Sequence, residues 1–403
     1  MRSDVRVQEG WQQATVATKT GSPGQLREVV QLAVKLGFIA FGGPAAHIAM
    51  LRDEVVARRG WFSEQHFLDL LGITNLIPGP NSTEMVIHTG YERAGWRGLI
   101  GAGLGFILPA AGITLALAWL YVEYGTTVQG ERLLDGVKPV VLVVVLDAIW
   151  NLGRTAVKSV PLGAIGGAVF ALYLLGLNEL VLLAGGALAA ALLHGRRWPW
   201  RGTSALLAPL TGVPLGLPMA LAAVEPATAY SAARLFLTFL KIGATLYGSG
   251  YVLLAFLRND FVTRLGWLNE RQLLDAVAVG QFTPGPVFTT ATFVGYVVGG
   301  FSGAALATVG IFLPAFICVA IVNPLLPRLR DLPGVRPILD GVNVAAIGLM
   351  AAVATVLARD AVVDWLTALL AIGAAVLLLR FRVNSAALVV GGALISLLVA
   401  MVG

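Results

Sequence analysis

The sequence predicts an all-α integral membrane protein. It reads as two inverted-topology repeats of about six segments each, with helices broken at Pro-Gly-Pro near the bilayer midplane. Three observations carry this. Of 403 residues, 57% are hydrophobic and 12% charged, with a mean hydropathy of +0.81; a soluble chain carries about a quarter charged residues. The chain also matches itself: 35–83 aligns without gaps on 241–289, an offset of 206, with 17 identities in 49 positions. Finally, Pro78-Gly79-Pro80 and Pro284-Gly285-Pro286 sit inside apolar runs of about 25 residues, roughly a bilayer span, yet proline cannot continue a helix.

Taken in order, residues 1–25 are polar, lack the apolar core of a signal peptide, and read as a cytoplasmic tail. The first repeat covers 26–194, with apolar segments near 26–50, 66–90, 97–122, 137–157, 160–176 and 179–194. A spacer, 195–231, carries one more segment at 205–224, punctuated by prolines. The second repeat covers 232–403, with segments near 232–256, 272–297, 303–326, 341–358, 362–380 and 384–402. Beyond a one-residue gap the match resumes at Gly90-Tyr91 with Gly295-Tyr296 and at Leu108-Pro109-Ala110 with Leu313-Pro314-Ala315. The stretches 52–64 and 258–270 read as amphipathic connectors whose Trp61 and Trp267 suit the membrane interface.

Seven segments before the second repeat place its start on the opposite side from the first, so the repeats are inverted. Lysine and arginine bias tests the count. Of 28 such residues, Lys35 and Lys241 lie within spans. Thirteen crossings with a cytoplasmic N-terminus place 19 of the rest inside and 7 outside. Making both Pro-Gly-Pro segments re-entrant gives eleven crossings and a split of 12 and 14. The expectation is thirteen crossings in a bacterial inner membrane, N-terminus cytoplasmic and C-terminus periplasmic. Arg52, Arg58 and Arg59 then fall on the wrong side.

The chemistry concentrates after the breaks. Asn81, Ser82 and Thr83 follow Pro78-Gly79-Pro80, while Thr289 and Thr290 follow Pro284-Gly285-Pro286. A helix restarting there presents unpaired N–H groups and a positive dipole end, a site for a compact oxyanion; the alternative is that the same hydroxyls only cap the restarted helix. Gly42-Gly43-Pro44 and its counterpart Gly248-Ser249-Gly250 let a ligand approach closely or let helices pack tightly. Lys35 and Lys241 are intramembrane cations that either face the pathway or snorkel to an interface. Arg52 and Arg258 offer planar forks that fit oxyanions, though arginines are common in loops. Glu84, aligned with Thr290, is the acid beside a break. It serves either as a proton-coupling group or, with Asn81 as N-cap, as the far end of a capping box.

Other classes are excluded or set back. The net charge of +6 marks cytoplasmic loops rather than a nucleic-acid partner. Cys318 is alone, so no disulfide forms within the chain. The four histidines lack metal-ligand spacing, no phosphate-binding G-x-x-x-x-G-K-[ST] loop is present, and no cofactor is called for. No nucleophile–base pair stands out, so an enzyme is not expected, with a membrane-embedded hydrolase as the rival class.

Phe41-Gly42-Gly43-Pro44, Gly60-Trp61 and Pro78-Gly79-Pro80, with their second-half partners, resemble the chromate ion transporter family in its long-chain, two-domain type. The resemblance spans about 26–402. It implies export of chromate from the bacterial cytoplasm by a secondary transporter, conferring resistance, with sulfate as chemical look-alike. A sulfate or other oxyanion permease working inward is the alternative. Chromate or sulfate and the lipid bilayer are the expected partners, and a homodimer is an admissible assembly. Gly248-Ser249-Gly250 departs from the first-half pattern, so the halves are not expected to be interchangeable.

Overall fold

The computed structural model describes residues 22–41, 43–74, 77–125, 127–194, 229–246, 252–329, 335–381 and 383–402. The expectations for the N-terminal tail, the spacer segment at 205–224, Gly42 and Gly248-Ser249-Gly250 fall outside these residues. Among the described residues the regular structure is entirely helical.

In the first repeat, α1 (Pro23–Ile39) begins at a capping box: Ser22 accepts from the Gln25 N–H, Gln25 answers to the Ser22 N–H, and Pro23 fills the first turn. α2 (Gly43–Arg52) continues as one wider coil, Asp53–Arg58. α3 (Glu64–Thr74) precedes Pro78-Gly79-Pro80, and α4 (Asn81–Tyr124) follows it. α4 is not straight. The chain reverses at Ala94 and Gly95, splitting it into limbs 81–93 and 96–124. Gly95 holds φ 61° and ψ −149°, a region that side chains avoid. The limbs then pack backbone to backbone, because a Cβ at Gly90 or Gly98 would collide with the other residue's carbonyl. α5 (Val128–Ala156), α6 (Val160–Leu174) and α7 (Glu179–His194) complete the repeat.

The second repeat copies this. α8 (Ala232–Thr245) is capped by Ser231, and α9 (Leu253–Leu257) widens into Arg258–Arg264. α10 (Glu270–Phe282) starts at an Asn269–Gln272 capping box. After Pro284-Gly285-Pro286 and one tight turn, α11 (Thr290–Leu329) reverses at Gly299 and Gly300. α12 (Val335–Ala361), α13 (Trp365–Phe381) and α14 (Ser385–Val402) follow.

Contacts at the ends show that α1–α2 and α3 with the first limb of α4 are hairpins, each returning to the face it left. Arg93 pairs with Glu28 at 3.1 Å and lies over the Trp61 ring, and His66 sits 3.9 Å from Glu92. Residues 28, 61, 66, 92 and 93 thus share one end of the molecule, the first face. Tyr230, Trp267 and Gly299 gather in the same way at the second face. Each long limb runs from its own face to the other. From the reversal beside Gly90, 96–124 reaches Asp275, which accepts from the Tyr121 hydroxyl at 3.0 Å; 301–329 reaches His88 through Asn323. The two limbs are antiparallel and the repeats inverted. At a rise of 1.5 Å per residue each limb is about 43 Å long and each hairpin arm about 20 Å, so the tips meet at mid-depth.

The remaining helices are exchanged between repeats. α5 packs on α13 and α14, with Gly136 against Gly392; α12 packs on α6 and α7, with Gly341 against Gly186 and Gly348 against Gly166. Large apolar side chains such as Leu108, Trp119, Trp150, Phe301 and Leu398 point outward, the belt of a multi-pass membrane protein.

The expectation of thirteen crossings is corrected. Segments 26–50, 66–90, 232–256 and 272–297 re-enter rather than cross. Charge bias could not reveal this: re-entry moves Arg52, Arg58 and Arg59 to the first face and Arg258, Arg264 and Arg271 to the second. One basic trio replaces another and the asymmetry keeps its size. α6 and α7, of 15 and 16 residues, run out and back beside α12, leaving His194 at the first face, while Ala232 stands at the second, opposite ends flanking the spacer.

Candidate functional site where four hairpin tips meet

The tips interlock reciprocally. The Gly79 N–H donates to the Leu246 carbonyl at 2.8 Å, and the Gly285 N–H donates to the Ala40 carbonyl at 2.8 Å. Each Pro-Gly-Pro turn of one repeat is thus tied to the first hairpin's tip in the other. Gly79 and Gly285 take φ 136° and 86°, and each rests on an alanine of the opposite long limb, Gly79 on Ala315 and Gly285 on Ala110. Those alanines belong to the matched Leu-Pro-Ala triplets, so the internal repeat and this contact have one cause.

Around the first-repeat tip, polar groups are buried without partners. Pro80, extended at ψ 95°, precedes the first helical residue, Asn81. The capping-box reading of Glu84 is therefore corrected: the helix starts one residue earlier than that motif requires, and the Glu84 carboxylate bonds to no backbone N–H. Glu84 is fully buried and its side chain leans back against Gly79, as helical side chains lean toward the N-terminus. Neither of its oxygens has a hydrogen-bond partner, nor do the hydroxyls of buried Thr83 and Thr89. A buried carboxylate left charged and unpaired costs several kcal/mol, about the penalty of a lone ion in a protein interior. Ser82 lies 3.3 Å from His47 Nδ1, and His47 packs edge-on against Phe106. His88 places Nδ1 3.0 Å from Asn323 Oδ1, while its Nε2 is unpaired.

The second-repeat tip differs in kind. Thr289 donates to the Pro286 carbonyl at 2.9 Å and accepts from Thr114 at 3.2 Å; Thr290 donates to the Val287 carbonyl at 2.8 Å. Its hydroxyls are used up as local braces. Gly43, at φ 78°, starts α2 beside the first tip, with Pro44 in the same turn.

The four basic residues predicted for the site lie elsewhere on the hairpins. Lys35 pairs with Glu54 at 2.6 Å, and Lys241 with Asp260 at 2.6 Å. Each joins the two arms of a first hairpin. Arg52 grips both oxygens of Glu64 at 2.7 and 2.8 Å, and Arg258 holds Glu270 at 2.6 Å. Each joins one hairpin's base to the next. The Arg52 hydrogen bonds hold the Glu64 carboxyl below the ordinary carboxylate range. Glu54 and Asp260 escaped the sequence reading although they align with each other, acid on acid. His88 and Asn323, 235 positions apart, gave no local signal.

A family model described as "Chromate transporter" matches the chain twice, at residues 27–191 and 233–397. A chromate transport protein of Cupriavidus metallidurans is 32% identical over 93% of both chains. One of Pseudomonas aeruginosa is 36% identical over 81% of this chain and 79% of its own. A probable chromate transport protein of Synechococcus elongatus is 32% identical over 84% and 86%. No solved structure matches.

Proposed function

This chain belongs to the chromate transporter family, and on that premise we propose that it exports chromate from the bacterial cytoplasm as a secondary transporter, by alternating access at the tips. The observation that carries the reading is the set of unpaired groups at the first-repeat tip: the Thr83 hydroxyl and both Glu84 oxygens, fully buried at mid-depth beside a restarted helix. Broken helices of opposed repeats meeting at mid-depth are the usual setting of a transporter's substrate site. Asn81, Ser82 and Thr83 supply donors to an oxyanion. A protonated Glu84 can add another, and an ionised Glu84 repels the dianion, so proton and oxyanion occupancy are linked. The bias of basic residues supports a cytoplasmic first face.

The test is uptake of radiolabelled chromate into inverted vesicles holding the purified chain. A proton gradient should drive accumulation, excess sulfate should compete as a tetrahedral dianion, and the accumulated chromate should be recovered unchanged. No accumulation under any gradient would overturn export, and chemically altered chromate would favour an enzyme.

A further inference from the structure

We propose that Glu84 exchanges its proton with the first face along a relay of His88 and then Glu92 with His66. This rests on the proton-coupled reading above and adds its route. Residues 84, 88 and 92 stand four apart on one stripe of the first limb of α4, so successive side chains are neighbours. Exposure rises along the stripe. Glu84 and His88 are fully buried, whereas the Glu92 and His66 side chains are 25% and 27% exposed.

Geometry sets the role of each group. His88 Nδ1 lies 3.0 Å from Asn323 Oδ1, and the relay places the imidazole hydrogen on Nδ1. Nε2 then holds a lone pair and has no partner, as the acceptor in a relay requires. A proton leaves a Glu84 oxygen for Nε2, making an imidazolium. That proton passes from Nε2 to the Glu92 carboxylate and on to water at the first face. Successive stripe positions stand roughly 6 Å apart along the helix, within reach of neighbouring side chains.

Among the described residues, these groups face the stripe. Cys318 faces Glu84 and Asn323 faces His88 from α11. From α3, His66 faces Glu92, and Asp69 accepts from Gln65. From α2, His47 is turned to Ser82. Arg93 is held by Glu28 and Trp61, and Arg97 lies just beyond the reversal. The second repeat has no such stripe. From Thr290 to Gly299 its sequence is Thr-Ala-Thr-Phe-Val-Gly-Tyr-Val-Val-Gly, without an acid or a histidine. The stripe that leads to the first face therefore has no copy in the matching limb of the second repeat.

Two assays in proteoliposomes of known orientation test this. Chromate counterflow at equal pH needs no net proton movement, whereas uptake driven by a pH difference does. His88→Gln should leave counterflow within about twofold while cutting pH-driven uptake about a hundredfold, the scale of losing a proton-transfer group. Wild-type pH-driven uptake in His88→Gln would overturn the relay. So would an equal loss in both assays, which would mark His88 as structural. Should His88→Gln fail to fold, the partly exposed pair His66→Gln/Glu92→Gln takes its place with the same two expectations. Glu84→Gln separates the two claims. If it keeps the wild-type dependence on pH, the coupling reading itself fails; if it loses that dependence while His88→Gln behaves as wild type, only the route fails.

Discussion

Lys35 and Lys241 sit in equivalent places, yet their partners are not equally provided for. Among the described residues Glu54 also meets Arg58 and Arg59, each at 3.2 Å, while Asp260, 1% exposed, meets Arg264 at 3.2 Å besides Lys241. Removing a partner from a buried pair costs more than breaking an exposed one. Lys241→Gln should therefore lower stability by about 2–3 kcal/mol and Lys35→Gln by less than about 1 kcal/mol, read by thermal unfolding in detergent. Lys241→Gln/Asp260→Asn should recover much of the loss. Chromate affinity should stay at wild type in both lysine variants, since each lysine is neutralised away from the tips; a marked drop would return them to the substrate path. Glu84→Gln should fold normally, because it relieves an unpaired carboxyl, and transport should no longer respond to pH.

Hairpins are the working elements, and their tight spots differ sharply in tolerance. A Cβ at Gly90 meets the Gly98 carbonyl and the Ala102 methyl, whereas one at Gly72 meets nothing within 4 Å. Gly90→Val should abolish folded protein in the membrane. Gly72→Ala should be neutral or raise stability by up to about 1 kcal/mol through helix propensity. Fluorescence-detected size exclusion of tagged variants checks both. Replacing Pro78-Gly79-Pro80 by alanines would extend helix through the turn that carries the Gly79–Leu246 bond. Transport should be lost even where the protein still reaches the membrane, and chromate resistance of cells bearing that variant would show that the turn is dispensable.

At the scale of the whole molecule, the inverted arrangement makes a prediction that thirteen crossings would not. In a Cys318→Ser background, a cysteine at Gly60 should label from the same side as one at Lys158, and a cysteine at Gly266 from the opposite side. An impermeant thiol reagent on sealed vesicles reads this directly. Thirteen crossings require the reverse for both glycines. The exchange of α5 and α12 between repeats also implies that neither half folds alone. Co-expressed halves should associate, and a half expressed singly should be degraded.

Composition, the internal match and the two Pro-Gly-Pro triplets were enough to determine an all-helical membrane protein with broken repeats, and the seven segments before the second repeat gave the inversion, because burial in lipid and the missing proline N–H are local constraints written residue by residue. Gly90-Tyr91 and Leu108-Pro109-Ala110 were legible as matched positions, but their purpose, backbone contact and a seat for the opposite tip, was not. Whether a broken segment crosses or returns depends on which ends meet: Arg93 with Glu28 and Trp61, His66 with Glu92. The capping-box reading of Glu84 turned on a single residue of helix start, which the extended Pro80 decided. Only the tertiary structure brings Asn323 to His88 and leaves Glu84 without a partner, because pairing is a property of neighbours in space, and these neighbours come from opposite halves of the chain.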